Sequence, residues 1–168
     1  SCRAHTLSQR DRVTAMETGQ ELITRLACQQ SQYDALKKAV MGQTAHIQAL
    51  DVEGLATDLT EIRSLMRKVR DLEADLRPLR QSWHSLGLDR DPAERREVDQ
   101  LVEGIRETVE EIQTVKSENE TILKSRTADL RKEMSSLQAQ GKAAIAYQGP
   151  NPAERASQSS RFVDKVTG

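Results

Sequence analysis

Three histidines (His5, His46, His84) and two cysteines (Cys2, Cys28) stand beside 26 Asp and Glu residues in a chain of 168. An imidazole with a carboxylate supplies acid–base chemistry or a metal ligand, and a thiolate supplies a nucleophile. Each needs a spacing that brings the groups together. No His-x3-His, Cys-x2-Cys or Glu-x-x-His pattern occurs, so no zinc or di-iron site is specified. His5 lies in a polar N-terminal stretch, while His46 and His84 fall near the two predicted turns of a long helical hairpin and cannot meet on one metal. Cys28 has no base near it in sequence and is expected to be a small, buried or half-buried thiol. With Cys2 it makes no disulfide framework, which points to a reduced, cytoplasmic setting. The carboxylates fall on the flanks of helical patterns, where they solvate a face, and no glycine-rich phosphate loop is present. Asn119-Glu120-Thr121 matches a glycosylation sequon by chance, in mid-helix. The expectation is a protein with no catalytic residues, no metal site and no cofactor, and not an enzyme.

The elements that hold these residues are helices. Aromatic residues are 2% of the chain, namely Tyr33, Trp83, Tyr147 and Phe162, and charged residues are 30%. Sheets draw on aromatic and β-branched residues, whereas long amphipathic helices need neither. Lys and Arg number 25 against 26 acids, for a net charge of −1, which lacks the basic excess that nucleic-acid binding requires. No run of 18 apolar residues exists to insert into a membrane. Ser1 to Arg12 lacks the apolar centre of a signal peptide, and Ser1 in first place suggests a processed or trimmed start.

The strongest periodicity runs through Val52, Leu55, Leu59, Ile62, Met66, Val69, Leu72, Leu76, Leu79, Trp83 and Leu86, in steps of three and four. It predicts a helix over about 52–86, capped by Asp51, stopped by Gly87 and bent at Pro78. A looser stripe of Val13, Met16, Ile23, Leu26, Ala27, Tyr33, Leu36, Val40, Ile47 and Leu50 predicts a helix over about 8–49, with Gln30 and Thr44 as wetter layers. Asp91-Pro92, with Glu94, opens a third helix that runs to Tyr147 before Gly149-Pro150. Its stripe is Val98, Val102, Ile105, Val109, Ile112, Val115, Ile122, Leu130, Met134, Leu137 and Ala144, interrupted by Asn119 and Arg126. The predicted fold is all-α: an elongated antiparallel three-helix bundle or coiled coil, residues 1–148, with a long, overhanging third helix and a flexible tail at 149–168.

The overhang follows from length. At 1.5 Å per residue the first two helices span roughly 50–60 Å and the third roughly 80 Å. Opposite the second helix, the third runs out of cover near residue 126. Leu130, Met134, Leu137, Ile145 and Tyr147 then lack an intramolecular partner, so they would bind a partner, self-associate as a weak homodimer, or fray. Charge suggests a further pairing. Residues 61–80 carry six basic and four acidic residues, and residues 101–120 carry two basic and six acidic, so the two stretches are expected to neutralise each other across the bundle.

Several stretches resemble the FlgN-type flagellar export chaperone family. They are Leu26 to Leu36 (LACQQSQYDAL), His46 to Leu55 (HIQALDVEGL) and Leu76 to Trp83 (LRPLRQSW), followed by a third helix ending Ala144-Ile145-Ala146-Tyr147 and then Ser160-Arg161-Phe162-Val163-Asp164-Lys165. The likeness covers most of residues 20–168. It implies a cytoplasmic chaperone without enzymatic activity that binds the C-terminal helical segments of hook–filament junction proteins, keeps them unassembled and delivers them to export-gate components. It also implies that the C-terminal part of the third helix engages the client. The binding residues expected are therefore Leu130, Met134, Leu137, Ile145, Tyr147 and Phe162. The alternative is a structural coiled-coil scaffold or oligomerisation segment.

Overall fold

A computed structural model describes residues 9–87 and 90–149, with side chains from Thr14 onward. It contains three helices: α1 (Gln9–Ala49), α2 (Val52–Ser85) and α3 (Pro92–Tyr147), the longest at 56 residues. The described residues hold no strand. The starts of α2 and α3 fall where strong local signals set them. The Asp51 side chain accepts from the Gly54 N–H at 3.0 Å, and Asp91 accepts from the N–H groups of Ala93 and Glu94, each at 3.0 Å. Helix α2 continues through Pro78.

The turn between α1 and α2 is tight. Asp51 N–H donates to the His46 carbonyl at 3.0 Å and Leu50 N–H to that of Ile47 at 3.2 Å, the paired bonds of a Schellman closure. Leu50 occupies the left-handed position that glycine usually fills, with φ 54°. It therefore ends the helix instead of continuing the core stripe. At Gly54 the backbone closes on its neighbours: a Cβ there would lie 2.4 Å from Asp51 Oδ2 and 2.7 Å from the His46 ring.

Packing divides the chain into one unit ending at Leu123 and another beginning at Lys124. In the first unit α1 and α2 run antiparallel, tied by Arg25–Asp75 (3.2 Å) and Gln29–Glu73 (2.9 Å). Helix α3 runs parallel to α1, tied by Gln20–Glu94, Gln30–Thr108, Lys37–Glu111 and Thr44–Asn119. One core layer joins Leu22, Ile23, Leu26, Leu76, Trp83 and Val98. A second joins Leu36, Val40 and Leu65, with Ile62, Ile112 and Val115 against them.

The core differs from the predicted stripes by single steps. Leu65 is buried and Met66 exposed, and Ala15 is buried and Met16 exposed. Positions three and four residues on share a helix face, so the facing helices decide which one enters. Val52 and Leu59 are exposed as well. The side chain of Val13 lies outside the described residues. Buried polar positions carry their own bonds: Asn119 donates from Nδ2 to the Val40 carbonyl at 3.0 Å and accepts from Thr44 at 2.7 Å. Gln29, fully buried, donates to Glu73.

Candidate partner-binding surface

Cys28 is exposed, against the expectation of a buried or half-buried thiol, because it sits on α1 between Ala27, also exposed, and buried Gln29. His46 Nδ1 stands 2.6 Å from Asp58 Oδ2, and Nε2 stands 3.9 Å from Asp51 Oδ2. The hydrogen bond to Asp58 raises the imidazole pKa above its ordinary value, with both carboxylates adding attraction. This group links the end of α1 to the start of α2 and is a fastening of the turn. Among the described residues no group of three or more His, Cys, Asp or Glu side chains could hold a metal ion. No helix among them is long and apolar enough to cross a membrane.

The predicted neutralisation between residues 61–80 and 101–120 does not occur among the described residues. Arg63, Arg67, Arg70 and Arg77 are exposed, and no ion pair there joins α2 to α3. Arg80 pairs with Glu73 in its own helix, and Arg106 pairs with Glu103 and Glu110 in α3. The reason is geometric. The sides of α2 and α3 that meet are filled by Leu76, Leu79, Leu101 and Ile105, which turn the charged sides outward.

Beyond Lys124, α3 carries large apolar side chains on its surface. Leu130 is 44% exposed, Met134 54%, Leu137 66%, Ile145 75% and Tyr147 96%. At about 100° per residue, Leu130, Met134, Leu137 and Ile145 share one face, and Tyr147 sits about 100° round the helix from it. The six predicted binding residues therefore divide. Four form a seam, Tyr147 flanks it, and Phe162 lies outside the described residues. Gly141 continues the spacing of 130, 134 and 137, and nothing lies within 4 Å of a Cβ built there. It was missed because a glycine adds nothing to a hydrophobic count; the heptad step from Met134 is the signal that finds it. From 124 to 147 the helix carries five basic residues (Lys124, Arg126, Arg131, Lys132, Lys142) and two acidic ones (Asp129, Glu133).

An amphipathic face of this kind suits another amphipathic helix, because apolar knobs at three- and four-residue steps mesh with the same pattern. No curated protein and no solved structure matches the chain. The family model described as FlgN protein matches residues 16–154, which takes in all three helices. That match spans most of the chain, which therefore belongs to the FlgN family, a family of flagellar export chaperones and not of enzymes.

Proposed function

We propose that this chain is a cytoplasmic export chaperone that holds the C-terminal helical segments of hook–filament junction proteins on α3 beyond Lys124. The exposed seam of Leu130, Met134, Leu137 and Ile145 carries the proposal. A client's amphipathic helix lies along it and trades water for apolar contact, at about 25 cal/mol for each Å² covered. Covering the client's assembly helix keeps it from pairing with its own kind before export. The basic excess flanking the seam favours a client helix whose apolar stripe is bordered by carboxylates. Tyr147 supplies a ring at the end of the helix, and Phe162 a second apolar anchor beyond Gly149. Delivery to export-gate components follows from the same complex, with the first unit as the folded body that carries it.

The test is a binding titration with a peptide covering the C-terminal helical segment of a hook–filament junction protein from the same cell. Leu130→Asp with Leu137→Asp is expected to abolish capture while leaving helicity and melting close to those of the parent. Capture that survives the double change overturns the assignment of the seam. A chain that self-associates stably through residues 128–147 and takes up no client is a scaffold.

A further inference from the structure

In the first unit Arg25, Lys37, Arg80 and Arg106 each have a carboxylate within ion-pair distance. Four exposed arginines on α2 do not. Among the described residues Arg63, Arg67, Arg70 and Arg77 join no ion pair, and Arg70 Nε donates instead to the Met66 carbonyl of its own helix, at 3.4 Å. At about 100° per residue the four fall within about 80° of one another around the helix. Widened to about 100°, the arc also holds Val52, Leu59 and Met66, which follow at steps of seven and are 76%, 45% and 41% exposed. No carboxylate of α2 falls on it. Glu73, at one edge, is held by Gln29 and Arg80, and Asp75 is held by Arg25. Asp71 lies about 40° beyond Arg67, past the other edge.

Like charges at steps of three and four repel, so the row weakens α2 taken alone, and the apolar column beside it stands in water. One occupant relieves both. An amphipathic helix can lay its apolar residues on Val52, Leu59 and Met66 and its flanking carboxylates on the arginines. We propose that the outer face of α2 docks an acidic amphipathic helix of another protein. From Val52 to Arg77 the face runs roughly 38 Å, enough for about 25 residues of the partner helix. It lies wholly on α2, in the unit that ends at Leu123, and so does not depend on a client held by α3 beyond Lys124. The ends of this chain do not supply the helix. Residues 1–8 and 150–168 carry four basic residues (Arg3, Arg155, Arg161, Lys165) against Glu154 and Asp164. Polyanions fit the face less well. A phosphate backbone would leave the apolar column in water, and no aromatic residue lies on this face to stack on a base. On an anionic bilayer, Arg70 and Arg77 lie on the same lines of the helix as Val52 and Leu59, so sinking the apolar side chains would carry guanidinium groups below the headgroups.

Fluorescence anisotropy with a labelled peptide of about four heptads tests this. The peptide carries Leu at the two core positions and Glu at the two flanking ones, and its own charges keep it from pairing with itself. The full chain carries Leu130→Asp and Leu137→Asp, so that the α3 seam takes no part and the two sites fail separately. In about 0.05 M salt the chain is expected to bind this peptide at least about tenfold more tightly than the same peptide with Lys in place of Glu, a preference that fades in about 0.5 M salt. Arg63→Glu, Arg67→Glu, Arg70→Glu and Arg77→Glu together should lose the acidic peptide and gain the lysine one. If that chain loses helicity, Gln at the same four positions should remove the preference without reversing it. Leu59→Ser with Met66→Ser should weaken binding several-fold and leave its salt dependence in place. Equal binding of the two peptides, an acidic peptide held after the arginine reversal, or an affinity untouched by the serine changes overturns the proposal. So does a chain that ignores the peptide but binds phosphatidylglycerol vesicles through these arginines, which assigns the face to a membrane. An arginine reversal that lowers the mass of the chain alone in sedimentation assigns it to a second copy and overturns the proposal as well.

Discussion

In α3, residues 92–123 and residues 124–147 share a helix and a repeating pattern, yet they use it differently. In the first stretch the apolar face is spent on the core, with Val98 buried and Leu101, Ile105, Ile112 and Val115 packed against α1 and α2 residues. Polar side chains set the register there: Thr108 meets Gln30, and Asn119 meets Thr44 and Val40. In the second stretch every residue but Thr127 is exposed, and Leu137 and Ile145 present most of their surface to solvent. A heptad pattern therefore reports that a face wants cover without saying where the cover comes from. Buried polar pairs mark the stretch whose partner lies within the chain. Their absence beside an apolar seam marks the stretch that we assign to a client.

The largest expected effect separates the two. Trp83→Ala removes a ring from the first core layer and should cost about 3–5 kcal/mol of unfolding free energy, read from urea melts. Leu137→Ala should stay within about 0.5 kcal/mol of the parent in the same melts. Equal losses at the two positions would erase the contrast. Asn119→Ala comes next. It removes the second donor to the Val40 carbonyl and the acceptor of the Thr44 hydroxyl and should cost about 1–3 kcal/mol.

Smaller changes probe the turn that closes the first unit. Leu50→Gly should stabilise it by about 1 kcal/mol, since glycine takes φ 54° without the Cβ clash that leucine carries. No gain in the melting temperature would mean that Leu50 contacts offset the strain. His46 gives the smallest effect, and a pH-dependent one. Its folded pKa lies above the ordinary 6.5, first through its bond to Asp58, so its contribution is fully present below the unfolded value and is lost as pH rises through the folded one. Melting of the parent should fall over a window starting near pH 6.5 and extending above it, and His46→Gln should flatten that fall. An unchanged slope in the variant would assign the titration elsewhere.

How much of this was legible depended on how local the cause was. Helix ends were legible because Asp51, Asp91-Pro92 and Gly149 act on neighbouring backbone groups. The choice of Leu65 over Met66 was not, because both positions lie on the inner half of α2 and only the shape of the facing layer separates them. The arginine row was visible as composition, but its direction was not. Matching charge between two stretches says that they attract, while the apolar residues between them decide which way they point. Within the candidate surface, Leu130, Met134, Leu137 and Ile145 were legible from spacing. Gly141 was not, since it marks a seam position by having no side chain.

Amide hydrogen exchange of the full chain, with and without the client peptide, tests whether α3 beyond Lys124 holds the client. Slowed exchange is expected to concentrate at residues 130–147, with the amides of α1 and α2 unchanged. Protection that appears instead along α1 and α2, or no added protection in α3 when the peptide is bound, would contradict it.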